Sequence, residues 1–538
     1  MGGACRNVSD WLRLLDAAHP GLTRVLTSIY PRDTGRAAML KERLGRSLRL
    51  YVREFGDTPV VIARAPGRLN LMGRHVDHQG GRCNMVALDR DVLIVAGRRA
   101  DGWIIAANTH GADYPGYRFH RSQLPGPDEG SHWRAYLDGM APPAHQAPQR
   151  SDWSIYCKAP LARLSALGLI PQAYGMSIVV DGEVPTAAGL SSSSAIVVGV
   201  MEAACALLGI RLQARQFVEL CGEAEWFVGT RGGAGDHAAI KMAAPGHVAQ
   251  MDFHPFQMSG LAPFPDGYGI LICNTRMQAR KMANARDQFN HRVACYHLGR
   301  AWLIRTHPWL ADRVQCLRDL CPSYSGQTAV EVLRLVASLP VEVGRDELRA
   351  YLGGDVVDAW LSTHGDAFNR YPLRGVVLYG LAECERSYRT GELLRAKQME
   401  RLGHWMHISH DGDRVVQWNG HDPQPFSMDV SDAAMNRLIA AADAMGSGFD
   451  LAELPGWYRC STPDLDAAVD LARGVEGTLG AQLCGAGLGG CIMVLARRES
   501  LDAVAERMAE QWYAPRGIEP DVFHCNPSAG SGIIELST

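Results

Sequence analysis

The sequence predicts an α+β protein of two domains. Strand-like and helix-like stretches occur in both halves of the chain, a Pro/Gly-rich segment HPFQMSGLAPFPDGYG divides them near residues 254–266, and 538 residues exceed what one hydrophobic core usually organises. Hydrophobic residues at 47% and charged residues at 21% are those of an ordinary globular protein. The expected division is a helical extension over 1–57, a first domain over 58–260 and a second over 261–538.

Taken in order, residues 1–57 carry Trp11, Leu12, Leu14 and Leu15, then Leu40, Leu44, Leu48 and Leu50, apolar stripes at helical spacing whose simplest role is packing. From Pro59 the texture turns to strands, in VVIARAP and NMVALDRDVLIVAGRR. The stretches YPGYRFHRSQLPGPDEGSHW and APPAHQAPQRSDW are rich in Pro and Gly and read as surface loops. YGMSIVVDGEVP reads as a strand and AIVVGVMEAACALLGI as a largely buried helix. Beyond 254–266 come the buried strand GILIC, the helical stretches TAVEVLRLVASL and GELLRAKQMERLGHWMH, and a late strand at 491–495.

A net charge of −3 leaves no polybasic footprint for nucleic acid or an anionic membrane. No run approaches a membrane span, and MGGACRNVSDWLRLL lacks the basic region and apolar core of a secretory signal. The expectation is a cytoplasmic monomer or homodimer whose partner is a small molecule. The fourteen cysteines include no C-x-x-C, and Cys316 and Cys321 are too loosely spaced for a zinc site, so buried reduced thiols are expected. His404, His407 and His410 share one helix face at a spacing of three; a packed or hydrogen-bonded role is the alternative to a metal.

The strongest local signal is PTAAGLSSSSA, Pro185 to Ala195, between that strand and that helix. Gly189 lets the backbone turn tightly, and Leu190 leads into Ser191, Ser192, Ser193 and Ser194, whose hydroxyls and N–H groups sit where the next helix points its positive end. Such a loop can cradle a phosphate, and without a Walker A lysine it belongs to another class of nucleotide site. A serine-rich turn can also cap the helix and bind nothing.

In ARAPGRLNLMGRHVDHQGG, Ala63 to Gly81, charged and hydrogen-bonding residues crowd together. Arg68 suits a phosphate, while His75 and Asp77 offer the donors and acceptors that sugar hydroxyls need. A metal held by His75, Asp77 and His78 is the competing reading. In CGEAEWFVGTRGGAGDHAAI, Asp236 follows Gly235 and a glycine run that lets backbone approach a ligand, and Glu225 could complete a magnesium site with a serine hydroxyl. Either carboxylate could instead cap a helix or pair with an arginine. Finally, CGAGLGGCIMVL spells G-x-G-x-x-G at Gly485, Gly487 and Gly490, but it runs into a strand rather than a helix, so a dinucleotide is not expected.

In order and spacing these stretches resemble the GHMP superfamily of small-molecule kinases, and within it the galactokinase branch. APGRLNLMGRHVDH is similar to the first family motif, PTAAGLSSSSA to the second and CGAGLGGC to the third, with echoes in FVGTRGGAGDH, NARDQFNHR and STPDLD. The resemblance covers about residues 58–538, with two apparent insertions near 120–150 and 414–456. It implies a ribosomal-S5-like N-terminal domain and a ferredoxin-like C-terminal domain, with ATP and a sugar bound between them. It further implies that Asp236 takes the proton of the sugar's anomeric hydroxyl, that Arg68 stabilises the transferring phosphoryl group, and that Pro185 and residues 189–195 bind ATP. By the same resemblance Ser193 and Glu225 hold Mg²⁺, and Arg74, His75, Asp77, Gly235, Asp236 and Gly487 contact the substrate, the turn carrying Gly487 lining the site near the phosphates.

The chain departs from the galactokinase pattern where Arg74 replaces a glutamate that accepts from the hydroxyl at the sugar's C6 end. Exchanging an acceptor for a cationic donor favours a phosphate or carboxylate there, so an anionic sugar rather than galactose is expected unless Arg74 pairs with an acid of the protein. His78, His237 and Phe289 also differ from the family. Two alternatives to a kinase are a non-catalytic sugar and ATP sensor, and a GHMP-type decarboxylase.

Overall fold

The computed structural model describes residues 5–130, 132–140, 153–229, 233–277, 285–419 and 422–536. Its longest strands, Pro59–Met72 and Cys83–Arg99, pair antiparallel at the centre of a large sheet. Both are buried along nearly their whole length because helices cover both faces of the sheet. Val61, Ala63 and Ala65 point to the helices Ile155–Ala166 and Ser192–Leu208, whereas Val60 and Ile62 point to the helices Val8–Asp16, Pro20–Ile29 and Thr34–Phe55. The described part of the extension, residues 5–57, therefore supplies a layer of the fold. Trp11, Leu15, Leu40, Leu44 and Leu48 of the apolar stripes are buried in that layer. Arg43 fastens it to the sheet, donating through Nε to Asp181 Oδ1 and through Nη1 to Asp91 Oδ1, each at 2.7 Å.

Gly175–Gly182 adds antiparallel to Cys83–Arg99, followed by Trp103–Asn108 in parallel and Tyr117–His120 at the edge. At its other end Cys83–Arg99 pairs with His247–Asp252, which pairs with Gln257–Pro263. The stretch read as a divider thus contains a strand of the first sheet. It lies at an edge and keeps its proline at the strand end, where a missing N–H costs no ladder bond.

The second sheet runs Thr478–Leu483, Cys491–Arg497, Tyr268–Asn274 and Val522–Cys525, all antiparallel. One face packs on the helices Pro463–Arg473 and Leu501–Met508, and the other, through Ile270, Ile272, Met493 and Leu495, joins the core beneath the first sheet. The result is the two-domain α+β fold that the alternation of strand and helix texture predicted. A separate core, holding Tyr296, Val377 and Tyr379, forms between the helices Ala285–Thr306 and Leu373–Arg395.

The stretch GELLRAKQMERLGHWMH is two helices. Leu373–Arg395 ends, the chain reverses through Lys397 at φ 55°, and Met399–Asp413 begins, so that Leu393, Leu394 and Leu402 all reach the same core. All fourteen cysteines are free thiols, and all but Cys5 are buried. Among the described residues no helix is long and apolar enough to cross a membrane.

Candidate active site

The three sequence stretches meet at one place. Asp236, in the first turn of the helix Gly235–Met242, receives Arg68 Nε on Oδ1 and Arg68 Nη2 on Oδ2, both at 2.7 Å. Ser191 Oγ donates to the same Oδ2 at 2.5 Å, and Arg68 Nη1 donates to the Gly189 carbonyl at 2.7 Å. Arg68 is thus a fork joining the carboxylate to the serine loop. Burial opposes ionisation of Asp236, but the Arg68 charge, its hydrogen bonds and Ser191 outweigh it and hold the carboxyl below the usual carboxylate range. A third of the Asp236 side chain remains exposed, against 11% of Arg68, so the carboxylate is the open member of the pair.

The helix after the serine loop spans Ser192–Leu208, with Ser191 at its N-cap in the left-handed region at φ 60°. Ser194 Oγ donates to Glu225 Oε2 at 2.8 Å and Ser193 Oγ to Oε1 at 3.2 Å. His237 Nε2 stands 2.7 Å from Glu225 Oε2, so this histidine faces the serine helix rather than the sugar motif. Burial acts against the charge on Glu225, yet His237 and Ser194 hold its pKa below the ordinary value. A carboxylate beside serine hydroxyls is an all-oxygen donor set, which suits a hard divalent cation that keeps most of its water. Ser193 and Glu225 fit that role by chemistry.

The glycine turn at 485–490 finds its partner in the serine loop. Cys491 N donates to the Ala188 carbonyl at 3.1 Å, and a Cβ on Gly490, at φ 95°, would stand 2.8 Å from that same carbonyl oxygen. Gly487, at φ 80°, presses on the Cys460 carbonyl, where a Cβ would stand at 2.0 Å. The turn is therefore spelled by backbone-to-backbone packing, with no helix behind it to receive a pyrophosphate. Beside it opens a cavity of about 590 Å³. Pro185, Thr186, Ala187 and Gly490 line it together with His110, Asp113, Tyr114, Asn274, Arg276 and Asp521. The last six carried no sequence signal, since they come from separate loops and acquire a common purpose only on folding.

Among the described residues, six of the nine non-glycine residues at positive φ border these loops and the first motif: His75, Ala187, Ser191, Arg276, Arg459 and Leu488. Backbone strain concentrates at functional clefts, where the surrounding fold enforces it.

Asp77 lies with this group, its Oδ2 against Gly233 and Gly235, and His78 Nδ1 is 3.1 Å from Asp77 Oδ1. Burial would raise the Asp77 pKa, but the His78 hydrogen bond and charge bring it to about 2. His75 is buried, stacked on Tyr458 at 4.4 Å, with Nε2 3.3 Å from Asp413 Oδ2.

Arg74 corrects the expectation placed on it. It is 2% exposed and donates to the Leu483 carbonyl at 3.0 Å and to Ser409 Oγ at 2.9 Å, with Asp413 Oδ2 at 3.1 Å. The Glu383 carboxylate caps the Gly73 and Arg74 N–H groups at 2.8 and 3.1 Å. Its side chain is only 1% exposed and faces Asp413, so the guanidinium presents almost no surface to a substrate anion. Asp413 was missed in the sequence because nothing local marks it as the partner of a motif far earlier in the chain.

Each histidine of the triplet meets a separate protein partner. His404 pairs with Glu453 at 2.9 Å, His407 accepts from Ala481 N at 3.4 Å, and His410 is buried 3.2 Å from Asp466. No group of three or more metal-ligating side chains occurs among the described residues. Thr230 to Gly232 of the glycine run, Asn284 of NARDQFNHR, and residues 131 and 141–152 of the first apparent insertion lie outside the described residues.

The chain is similar to known proteins along most of its length. Residues 49–98 match the galactokinase galactose-binding signature, 156–243 the GHMP kinases N terminal domain and 430–514 the GHMP kinases C terminal domain. The chain is 24% identical to a galactokinase of Roseiflexus sp. (strain RS-1), over 93% of this chain and 97% of that protein. It is 25% identical to a galactokinase of Chloroflexus aurantiacus, over 90% and 97%. Among solved structures it superposes on Lactococcus lactis galactokinase complexed with galactose, with a TM-score of 0.61 at 20% identity over 90% of this chain and 97% of that one.

Proposed function

The chain belongs to the GHMP kinases, in their galactokinase-like branch, and from that premise we propose that it transfers the γ-phosphoryl group of ATP to the anomeric hydroxyl of a sugar. The observation that carries this reading is the Asp236 carboxylate, ionised by Arg68, held by Ser191 and open on its remaining side. The hydroxyl oxygen attacks the γ-phosphorus, the bond to the β–γ bridging oxygen breaks, ADP leaves, and the hydroxyl proton passes to Asp236. A carboxylate of depressed pKa is a weak base, which suits a loose transition state that needs little early deprotonation. Arg68 and the N–H groups at the start of Ser192–Leu208 face the charge on the equatorial oxygens. Mg²⁺ held by Ser193 and Glu225 supplies further positive charge when bound.

The sugar is proposed to be one other than galactose. Arg74 removes the family's acceptor from the C6 end and, being tied to Asp413, puts no free cation in its place. A sugar that relies on a hydrogen bond to that acceptor should bind poorly. ADP release measured across galactose, other neutral hexoses, hexose, heptose and octose phosphates and uronic acids tests both statements. Turnover with none of them would refute the kinase; preference for galactose would refute the substrate reading. Carbon dioxide release would instead favour a decarboxylase.

A further inference from the structure

Three buried donor atoms beside this cleft, on Arg292, Trp457 and Arg459, have no acceptor among the described residues. The chain leaves the helix Met399–Asp413 and returns at Tyr458 and Arg459, whose N–H groups both donate to the Gly412 carbonyl, at 2.7 and 3.1 Å. Arg459 sits at φ 59°, a costly conformation for a long side chain. Its guanidinium lies 4.8 Å from the centre of the Trp457 ring, and its buried Nε has no hydrogen-bond partner.

Arg292 reaches the same place from the helix Ala285–Thr306. One turn before it, Gln288 Nε2 donates to the Arg459 carbonyl at 3.2 Å. Arg292 Nη1 touches His291 Nδ1 at 3.1 Å, and its Nε is again buried and unpartnered, as is Trp457 Nε1. Among the described residues no carboxylate pairs with either arginine. Asp413, which runs beside this segment, meets Arg74 and His75 through Oδ2; its Oδ1 makes no hydrogen bond and no ion pair to either arginine. Burial and the Arg292 charge both push the Arg459 pKa down, as happens when cations are kept together without an anion.

The pair is also well placed. On one side Tyr458 stacks on His75 of the first motif; on the other the Cys460 carbonyl accepts the Leu488 N–H of the glycine turn at 3.1 Å.

We infer that Arg292 and Arg459 form a second anion subsite of the cleft, built to receive a phosphate group of a bound ligand. That phosphate is either one the sugar already carries or the terminal phosphate of the nucleotide. The inference rests on the cleft being the nucleotide and sugar site proposed above. Planar forks of this kind match phosphate oxygens in pairs, and removing one member of a charged hydrogen bond weakens binding by about tenfold or more.

Titration calorimetry on the full chain separates the sources. Probes are AMP, a non-hydrolysable ATP analogue, and inorganic phosphate added to the complex with that analogue, each against wild type, Arg292→Met and Arg459→Met. If the analogue weakens by about tenfold or more while AMP does not, the subsite takes the nucleotide's phosphate. If the analogue is unchanged and phosphate binds only to the wild-type complex, it takes a phosphate of the sugar. Unchanged affinities throughout, or no phosphate binding beside an unchanged analogue, overturn the inference. Arg459→Lys keeps the charge and gives a smaller loss by the same readout if Arg459→Met fails to fold. An arginine-dependent loss of binding without turnover on any sugar would sink the kinase reading and leave the subsite standing.

Discussion

Arg68 and Arg74 stand six positions apart in one motif, each facing an aspartate from a distant segment, yet they do opposite things. Arg68 and Asp236 keep 11% and 33% of their side chains exposed, whereas Arg74 and Asp413 keep 1% and 0%. The first pair borders the serine loop and leaves its carboxylate one open side. The second is closed on every side by Ser409, Leu483 and Glu383. An arginine in a ligand motif is therefore a ligand group only if folding leaves it an unspent direction.

That contrast can be broken in order of effect. Asp236→Asn removes the base and one charge of the open pair, and kcat should fall by a factor on the order of 10³ or more, with ATP affinity kept. Residual turnover near wild type in a sugar-dependent ADP assay would contradict it. Arg74→Met leaves the buried Asp413 without its arginine, and urea unfolding should show a loss of about 3–5 kcal/mol. The same measurement on the exposed His404→Ala should move by about 0.5 kcal/mol or less.

The pH responses should differ as well. The Asp236 carboxyl is depressed chiefly by Arg68 against its burial, so the acid limb of kcat/KM lies below the ordinary carboxylate range. Arg68→Met should lower kcat and move that limb to higher pH; an unmoved limb would mean that Asp236 is not the titrating base. For the closed pair the sign concerns stability. Burial raises the Asp413 pKa, but His75 and Arg74 more than reverse this. Its contribution is present above the unfolded value of about 4 and is lost as pH falls through the lower folded value. Acid unfolding should begin at higher pH in Arg74→Met than in wild type. A smaller effect is expected from Glu225→Gln, which should raise the Mg²⁺ requirement by about tenfold with the fold unchanged, measured as Mg²⁺-dependent nucleotide binding.

Much of the proposed transfer corner was legible because its chemistry is written in consecutive residues. PTAAGLSSSSA places glycine, serines and a helix start within one turn, and Asp236 follows its glycines directly. The role of the 485–490 turn required a partner, and only the fold supplied the Ala188 carbonyl that excludes a side chain at Gly490. The fate of Arg74 was not readable for the same reason, since Asp413 sits at the end of a helix with no motif around it. Nor was Arg459, whose significance lies in what it fails to contact. At fold level, the apolar runs at VVIARAP, NMVALDRDVLIVAGRR, GILIC and 491–495 marked the central strands of both sheets, while the strand Gln257–Pro263 was hidden by its glycine and proline.

The most direct test of the central claim is the position of the new phosphate. With the best sugar found, proton-coupled ³¹P NMR of the product should show a doublet from the anomeric proton, absent with Asp236→Asn. Phosphate on any other oxygen, or the same product formed at an unchanged rate by Asp236→Asn, would contradict the account.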